Sequence, residues 1–161
     1  MVLEMIIERA AISDAEEILS LQKIAYQSEA KIYNSFDIPP LTQTLEELKD
    51  EFNSKIVLKA VFNGKIIGSV RAFLKGETCY IGRLIVHPDF QNQGIGAKLM
   101  NGIERFFSDA KRFELFTGYK SALNIHLYQK LGYAIFKTEK INDNLKIVYL
   151  EKSVSTASNN G

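Results

Sequence analysis

The chain has 161 residues, of which 46% are hydrophobic, enough for the core of one domain. Its net charge of +1 supplies no field to hold nucleic acid or an anionic membrane, and its single cysteine, Cys79, excludes an internal disulfide. No apolar run nears the roughly 20 residues that span a bilayer. The N-terminus lacks a basic stretch ahead of a long apolar one, so no signal peptide is expected and a reduced, cytoplasmic setting is.

Residues 5–9 predict a first strand. Ser13 and Glu16 have the spacing of a capping box, which opens a helix to about Ala30 with Ala15, Ile18, Leu19, Ala25 and Tyr26 inward. Residues 31–43 read as irregular, with Pro39-Pro40 opposing helix. Thr44 and Glu47 form a second capping box for a short helix to about Phe52. Residues 55–62 and 65–74 read as strands joined by Asn63-Gly64, a strong hairpin signal. Gly76 marks the next turn, and residues 79–86 form a further strand.

A helix over residues 94–108 places Ile95, Leu99, Ile103 and Phe106 on one face. Residues 113–117 are a short strand, and 122–131 a helix with Gly132 at C′. Strands over 133–138 and 145–150 end a single domain of residues 1–152. Residues 153–161 are small and polar and read as a disordered tail. Hairpins with one strand–helix–strand unit predict a mixed sheet with helices on its faces, an α+β or α/β layered fold.

The stretch after residue 86 carries the first functional signal. A strand runs through His87-Pro88 and Gln91-Asn92-Gln93-Gly94-Ile95-Gly96 into a helix. Gly94 and Gly96 let backbone approach a ligand closely, and the N–H groups from about Gln93 to Ala97 start a helix without acceptors. Such a start binds phosphate through backbone dipoles, and it also reads as an ordinary strand-to-helix turn. A P-loop would place Lys and Ser or Thr after the last glycine, where Ala97 and Lys98 stand. A Rossmann fingerprint would need three glycines after the first strand.

The second signal is Asn124-Ile125-His126-Leu127-Tyr128-Gln129-Lys130-Leu131-Gly132-Tyr133. Asn124 and Tyr128 are four apart and share a helix face. Taken alone, Tyr128 reads as a core aromatic with its hydroxyl at the surface.

Together the two motifs, over about residues 80–136, resemble the GCN5-related N-acetyltransferase (GNAT) family. The resemblance implies a mostly antiparallel sheet of six to seven strands flanked by about four helices and splayed at a central parallel pair. It implies transfer of an acetyl group from acetyl-CoA to an amine by direct attack in a ternary complex, with no metal. The pantetheine arm would pair with backbone near Leu84, Ile85 and Val86, and the pyrophosphate would sit on the loop from Gln91 to Gly96, with Ala97 also binding the cofactor. Asn124 would bond the cofactor. Tyr128 would be the general acid, and the Val86 N–H would hold the thioester oxygen.

The base is not defined by the resemblance. Glu77 precedes the third long strand and is one candidate; Glu29, Tyr33, His87 and a water chain are others, each also readable as a solvated charge or turn residue. The acceptor site would draw on residues 25–52, with Tyr26, Glu29 and Tyr33 as its candidates. Tyr26, Tyr33, Phe36, Ile38, Pro39 and Pro40 line a pocket or pin the loop. Glu29, Asp37, Glu46 and Glu47 would suit a cationic amine. Polyamine, aminoglycoside, amino acid and protein amines all remain open. The alternative function is a non-catalytic acyl-CoA-binding regulatory module. The expected partners are acetyl-CoA and an amine, with neither nucleic acid nor membrane, and a second copy could pair at the edge of the last strand as a homodimer.

Overall fold

The computed structural model describes residues 4–154. The central feature is a seven-stranded sheet in the order β1-β2-β3-β4-β5-β7-β6. The strands are β1 (Ile6–Arg9), β2 (Ile56–Phe62), β3 (Lys65–Lys75), β4 (Thr78–Val86), β5 (Arg112–Gly118), β6 (Ala134–Asn142) and β7 (Leu145–Ser153). All neighbours are antiparallel except β4 and β5. Six α-helices are present among the described residues: α1 (Ala15–Ala25), α2 (Gln27–Tyr33), α3 (Pro39–Thr42), α4 (Leu45–Glu51), α5 (Ile95–Phe106) and α6 (Ala122–Lys130).

Alternation along β2 explains why both faces are covered. Leu58 and Ala60 join the core under α5, with Ile95, Leu99, Met100 and Ile103. Val57, one residue out of phase with them, joins a second core under α1 and α4, with Ile18, Leu19, Leu21 and Leu48. The Asn63-Gly64 turn between β2 and β3 has φ of 51° and 75°, as a two-residue type I′ hairpin requires.

Several local expectations are corrected. The first helix breaks at Tyr26, where ψ rises to 1°, so α1 and α2 are separate. Its start is capped differently: the Asp14 carboxylate, not Ser13, accepts from the Ala11 N–H at 2.9 Å and also takes the Lys59 ammonium at 2.9 Å. Pro39-Pro40 begins α3 rather than preventing it, because the first helical positions need no N–H donor. The second capping box forms as expected, with the Glu47 N–H donating to Thr44 Oγ1 at 3.1 Å and the Thr44 N–H donating to Glu47 Oε1 at 2.8 Å. Phe106, expected inward, is 48% exposed, while Met100, not expected on the inner face, is fully buried. Ser153 belongs to β7, while 155–161 of the expected tail lie outside the described residues.

Between α1, α4 and β3 lies a buried polar cluster. The Arg71 guanidinium, almost wholly buried, donates to Glu51 at 2.9 Å, Gln22 at 2.9 Å and Gln43 at 3.0 Å. Arg71 and its neighbours hold the Glu51 carboxyl down to about 2 against the opposing pull of burial.

Candidate active site

The parallel pairing of β4 and β5 stops early. It covers Thr78 with Arg112, Cys79 with Phe113 and Tyr80 with Glu114. Beyond Tyr80 the two strands separate, while each keeps its antiparallel partner on the far side. The cause is visible in β4. Ser69 faces Ile85 and Arg71 faces Gly82, so Arg83 and Leu84 share one position opposite Val70. Arg83 takes the left-handed backbone conformation, with φ 53°. This is a β-bulge, which bends a strand and reverses which face the following residues present. Cys79 and Ile81 face α5; after the bulge Ile85 faces α1, and Leu84 and Val86 pack on the α5 side.

The wedge leaves backbone groups free. The His87 N–H donates to the Ile67 carbonyl at 2.8 Å. Strand N–H groups alternate in direction, so the Val86 N–H points away from β3 and into the gap. The Ile85 side chain is buried in the α1 core, and by the same alternation its N–H and C=O face β3, so Ile85, expected beside the pantetheine, does not turn its backbone into the gap.

The loop that follows is built for a bare helix start. His87 Nδ1 accepts from the Asp89 N–H at 3.0 Å, which makes His87 a turn residue. Gln91, Asn92, Gln93 and Gly94 are exposed, and Asn92 and Gly94 have φ of 62° and 79°. The first turn of α5 closes with the Lys98 N–H on the Gly94 carbonyl at 3.1 Å. The N–H groups of Ile95, Gly96 and Ala97 therefore precede the helical ladder and remain available to an anion. A Cβ on Gly96 would lie 3.2 Å from Leu127 Cδ2 and 3.8 Å from Leu84 Cδ2. The missing side chain lets the α5 start sit against both β4 and α6, beside the gap.

From α6, Asn124 is partly buried and Tyr128 is 6% exposed. Tyr128 packs in the α5-side core, yet its phenol is raised above the usual tyrosine range by burial, then by Tyr26 and Glu29. Tyr26 packs against the core on the other face, so Tyr128 senses charges from both sides of the sheet where β4 and β5 part. Glu29 accepts from the Ser121 hydroxyl at 2.5 Å, and the Tyr33 hydroxyl accepts from the Lys120 N–H at 2.8 Å. Thus α2 closes over the end of β5. Tyr26 is raised by burial, opposed by the guanidiniums of Arg83 and Arg71.

The fold thus gathers Leu84, Val86, residues 91–97, Asn124, Tyr128, Tyr26, Glu29 and Tyr33 around one gap. Besides Ile85, Glu77 is the exception. It lies before the start of β4, 71% exposed and paired with Lys111 at 3.1 Å. Nine strand residues separate it from the end of β4, roughly 30 Å, so its carboxylate is out of reach as a base. Asp37 bonds Ser35 at 2.6 Å and Glu47 caps α4; of the acidic residues expected near the acceptor, Glu29 is the one tied to the β5–α6 junction. Two residues of the site escaped sequence reasoning. Arg83 is a lone charge in the apolar run from Ile81 to Val86, which was a usable signal; Ser121 carried none.

Among the described residues no group of three or more His, Cys, Asp and Glu is placed to hold a metal, and no helix is long and apolar enough to cross a membrane. Cys79 is buried and its thiol is pushed up to about 12.

Comparison with known proteins places this geometry. The UPF0157 protein YqkA of Bacillus subtilis (strain 168) is 29% identical over 126 residues, 78% of this chain. The chain spans only 36% of that relative's length. Among solved structures, the PaiA N-acetyltransferase of Thermoplasma acidophilum, in complex with coenzyme A, superposes with a TM-score of 0.79 at 15% identity, covering 94% of this chain and all of that one (100%). The ribosomal-protein-S18-alanine N-acetyltransferase of Escherichia coli gives 0.73 at 14% identity, over 95% of this chain and 96% of that one. At such identities the likeness is one of fold. The family model for the acetyltransferase (GNAT) family matches residues 15–133, well over half of the chain, and the protein belongs to that family.

Proposed function

We propose that this protein transfers an acetyl group from acetyl-CoA to a primary amine by direct attack in a ternary complex. The observation that carries the reading is the convergence of three donors on one gap: the free N–H groups at the start of α5, the Val86 N–H and the Tyr128 hydroxyl. The α5 start takes the pyrophosphate, and Asn124 bonds the cofactor along α6. The opened backbone of β4 runs beside the pantetheine. The amine nitrogen attacks the thioester carbon, and the Val86 N–H holds the oxygen as it gains charge. Collapse breaks the carbon–sulfur bond, and the departing thiolate receives the Tyr128 proton; the new amide nitrogen releases its extra proton to water, and the Tyr128 phenolate is reprotonated from solvent. Burial keeps that phenol protonated, so it enters the reaction as a donor. Glu29, with one oxygen on Ser121, has its other oxygen for the acceptor ammonium, whose proton leaves to water before attack.

The reading is tested by thermal shift with CoA, acetyl-CoA, longer acyl-CoAs and ATP, followed by a thiol-release assay with mixed amines. Acetyl-CoA at 100 times its Kd stabilises by about 2.7 kcal/mol. Stabilisation by ATP and by no CoA species overturns the reading. Binding of acetyl-CoA without CoA thiol release from any amine would make the protein an acyl-CoA-binding module instead.

A further inference from the structure

Arg83 is the unexplained residue of the site. Its Nε is buried and, among the described residues, is the one buried side-chain polar atom without a hydrogen-bond partner. It also occupies a left-handed backbone position, φ 53°, which disfavours side chains other than glycine's. An arginine held in strained backbone with an unmet buried donor marks a function rather than a packing solution. The neighbouring Arg71 makes the contrast. Arg71 lies on the same face and is saturated by Glu51, Gln22 and Gln43. Arg83 makes no ion pair among the described residues; its near neighbour is the Tyr26 phenol, at the break between α1 and α2. The bulge thus holds a guanidinium with no ion pair among the described residues beside the Tyr26 phenol, which in turn lies near the Glu29 carboxylate of α2.

We infer that the acceptor carries a carboxylate as well as its amine, held by Arg83 while Glu29 holds the ammonium: an amino acid or amino-acid-like zwitterion. The inference rests on the acetyltransferase reading above. A guanidinium forms paired, charge-assisted bonds with a planar carboxylate, and it repels polycations such as diamines and polyamines.

The test compares free amino acids, their carboxamides and linear diamines by CoA thiol release. Wild-type protein turns over the carboxylates with kcat/KM about 10- to 100-fold above the matching carboxamides. Arg83→Gly suits the left-handed backbone, so it keeps the melting temperature while removing the guanidinium. That variant loses the preference through the acceptor KM, with the acetyl-CoA KM unmoved; Arg83→Lys keeps part of it. Equal rates on carboxylate and carboxamide, or faster turnover of diamines, overturn the inference and leave the acetyltransferase reading standing. Arg83→Gly slowing all acceptors equally also overturns it. Absence of thiol release with every amine removes both.

Discussion

The Tyr33 hydroxyl accepts the Lys120 N–H at 2.8 Å and so fastens α2 to the loop after β5. One helical turn earlier, Glu29 accepts from Ser121. The two contacts form a clasp of α2 over the end of β5. Because Lys120 and Ser121 also lead into α6, the clasp ties the proposed acceptor residues to the helix that carries Tyr128.

The clasp depends on Gly118. A Cβ there would lie 2.1 Å from the Tyr33 hydroxyl oxygen, a distance no side chain tolerates. Gly118→Ala is expected to push α2 off the junction. Overpacking of this kind costs about 1–3 kcal/mol. Steady-state kinetics should show the acceptor KM rising at least about 10-fold, while acetyl-CoA Kd by calorimetry stays within a factor of about two. An unchanged acceptor KM would separate the clasp from acceptor binding.

Tyr128→Phe removes the proposed donor and keeps the ring that fills the core. The expected fall in kcat is about 10²–10⁴-fold, with acetyl-CoA affinity retained. The pH profile supplies an independent check. The phenol's raised pKa means that its acid form persists above the usual tyrosine value near 10. Wild-type activity should therefore show no alkaline loss from this group below about pH 10.

The Arg71–Glu51 pair should govern acid stability. The Glu51 carboxyl titrates at about 2 when folded, against about 4.3 when unfolded. A depressed folded pKa stabilises at pH above the unfolded value, and the contribution fades as pH falls through the window from about 4.3 to 2. Glu51→Gln is expected to cost about 3 kcal/mol at pH 7 and little near pH 2.5. Urea denaturation at both pH values measures the difference; an equal cost at both would show that the charge of Glu51 is not what stabilises.

The α5 start should respond to its two glycines for different reasons. Gly94 has φ 79° and open space around its Cβ position, so Gly94→Ala is a backbone strain of about 1 kcal/mol that disturbs the loop. Gly96→Ala instead sets a Cβ 3.2 Å from Leu127 Cδ2, which shifts α5 against α6. Both should weaken acetyl-CoA binding, and calorimetry of CoA against 3′-dephospho-CoA should show the loss for both ligands. Undiminished affinity in both variants would remove the loop as the pyrophosphate site.

Strand and helix order was legible because its signals are local. The apolar, β-branched runs of β2 and β3, the Asn63-Gly64 turn, and the Thr44–Glu47 cap act between near neighbours in the chain, and each formed as read. The loop at residues 91–97 and the shared face of Asn124 and Tyr128 were equally local. Misreadings arose where a local rule met a distant partner. Asp14 caps the first helix region while also holding Lys59, 45 positions away. Phe106 faces outward and shares its position with the Arg9 guanidinium, 5.7 Å from its ring.

The amino-acid order alone specifies the elements, the glycine loop after β4 and the shared face of Asn124 and Tyr128, since turns, caps and periodicity need only a few adjacent residues. Tertiary structure decides the proposed acceptor half of the site. Tyr33 meets Lys120 across 87 positions and Glu29 meets Ser121 across 92, contacts that no sequence window contains. Glu77 sits at the far end of β4 from Val86, a separation set by strand length alone. The bulge that turns Arg83 toward the gap exists only in register with β3, and that pairing gives a lone arginine in an apolar strand its place in the site.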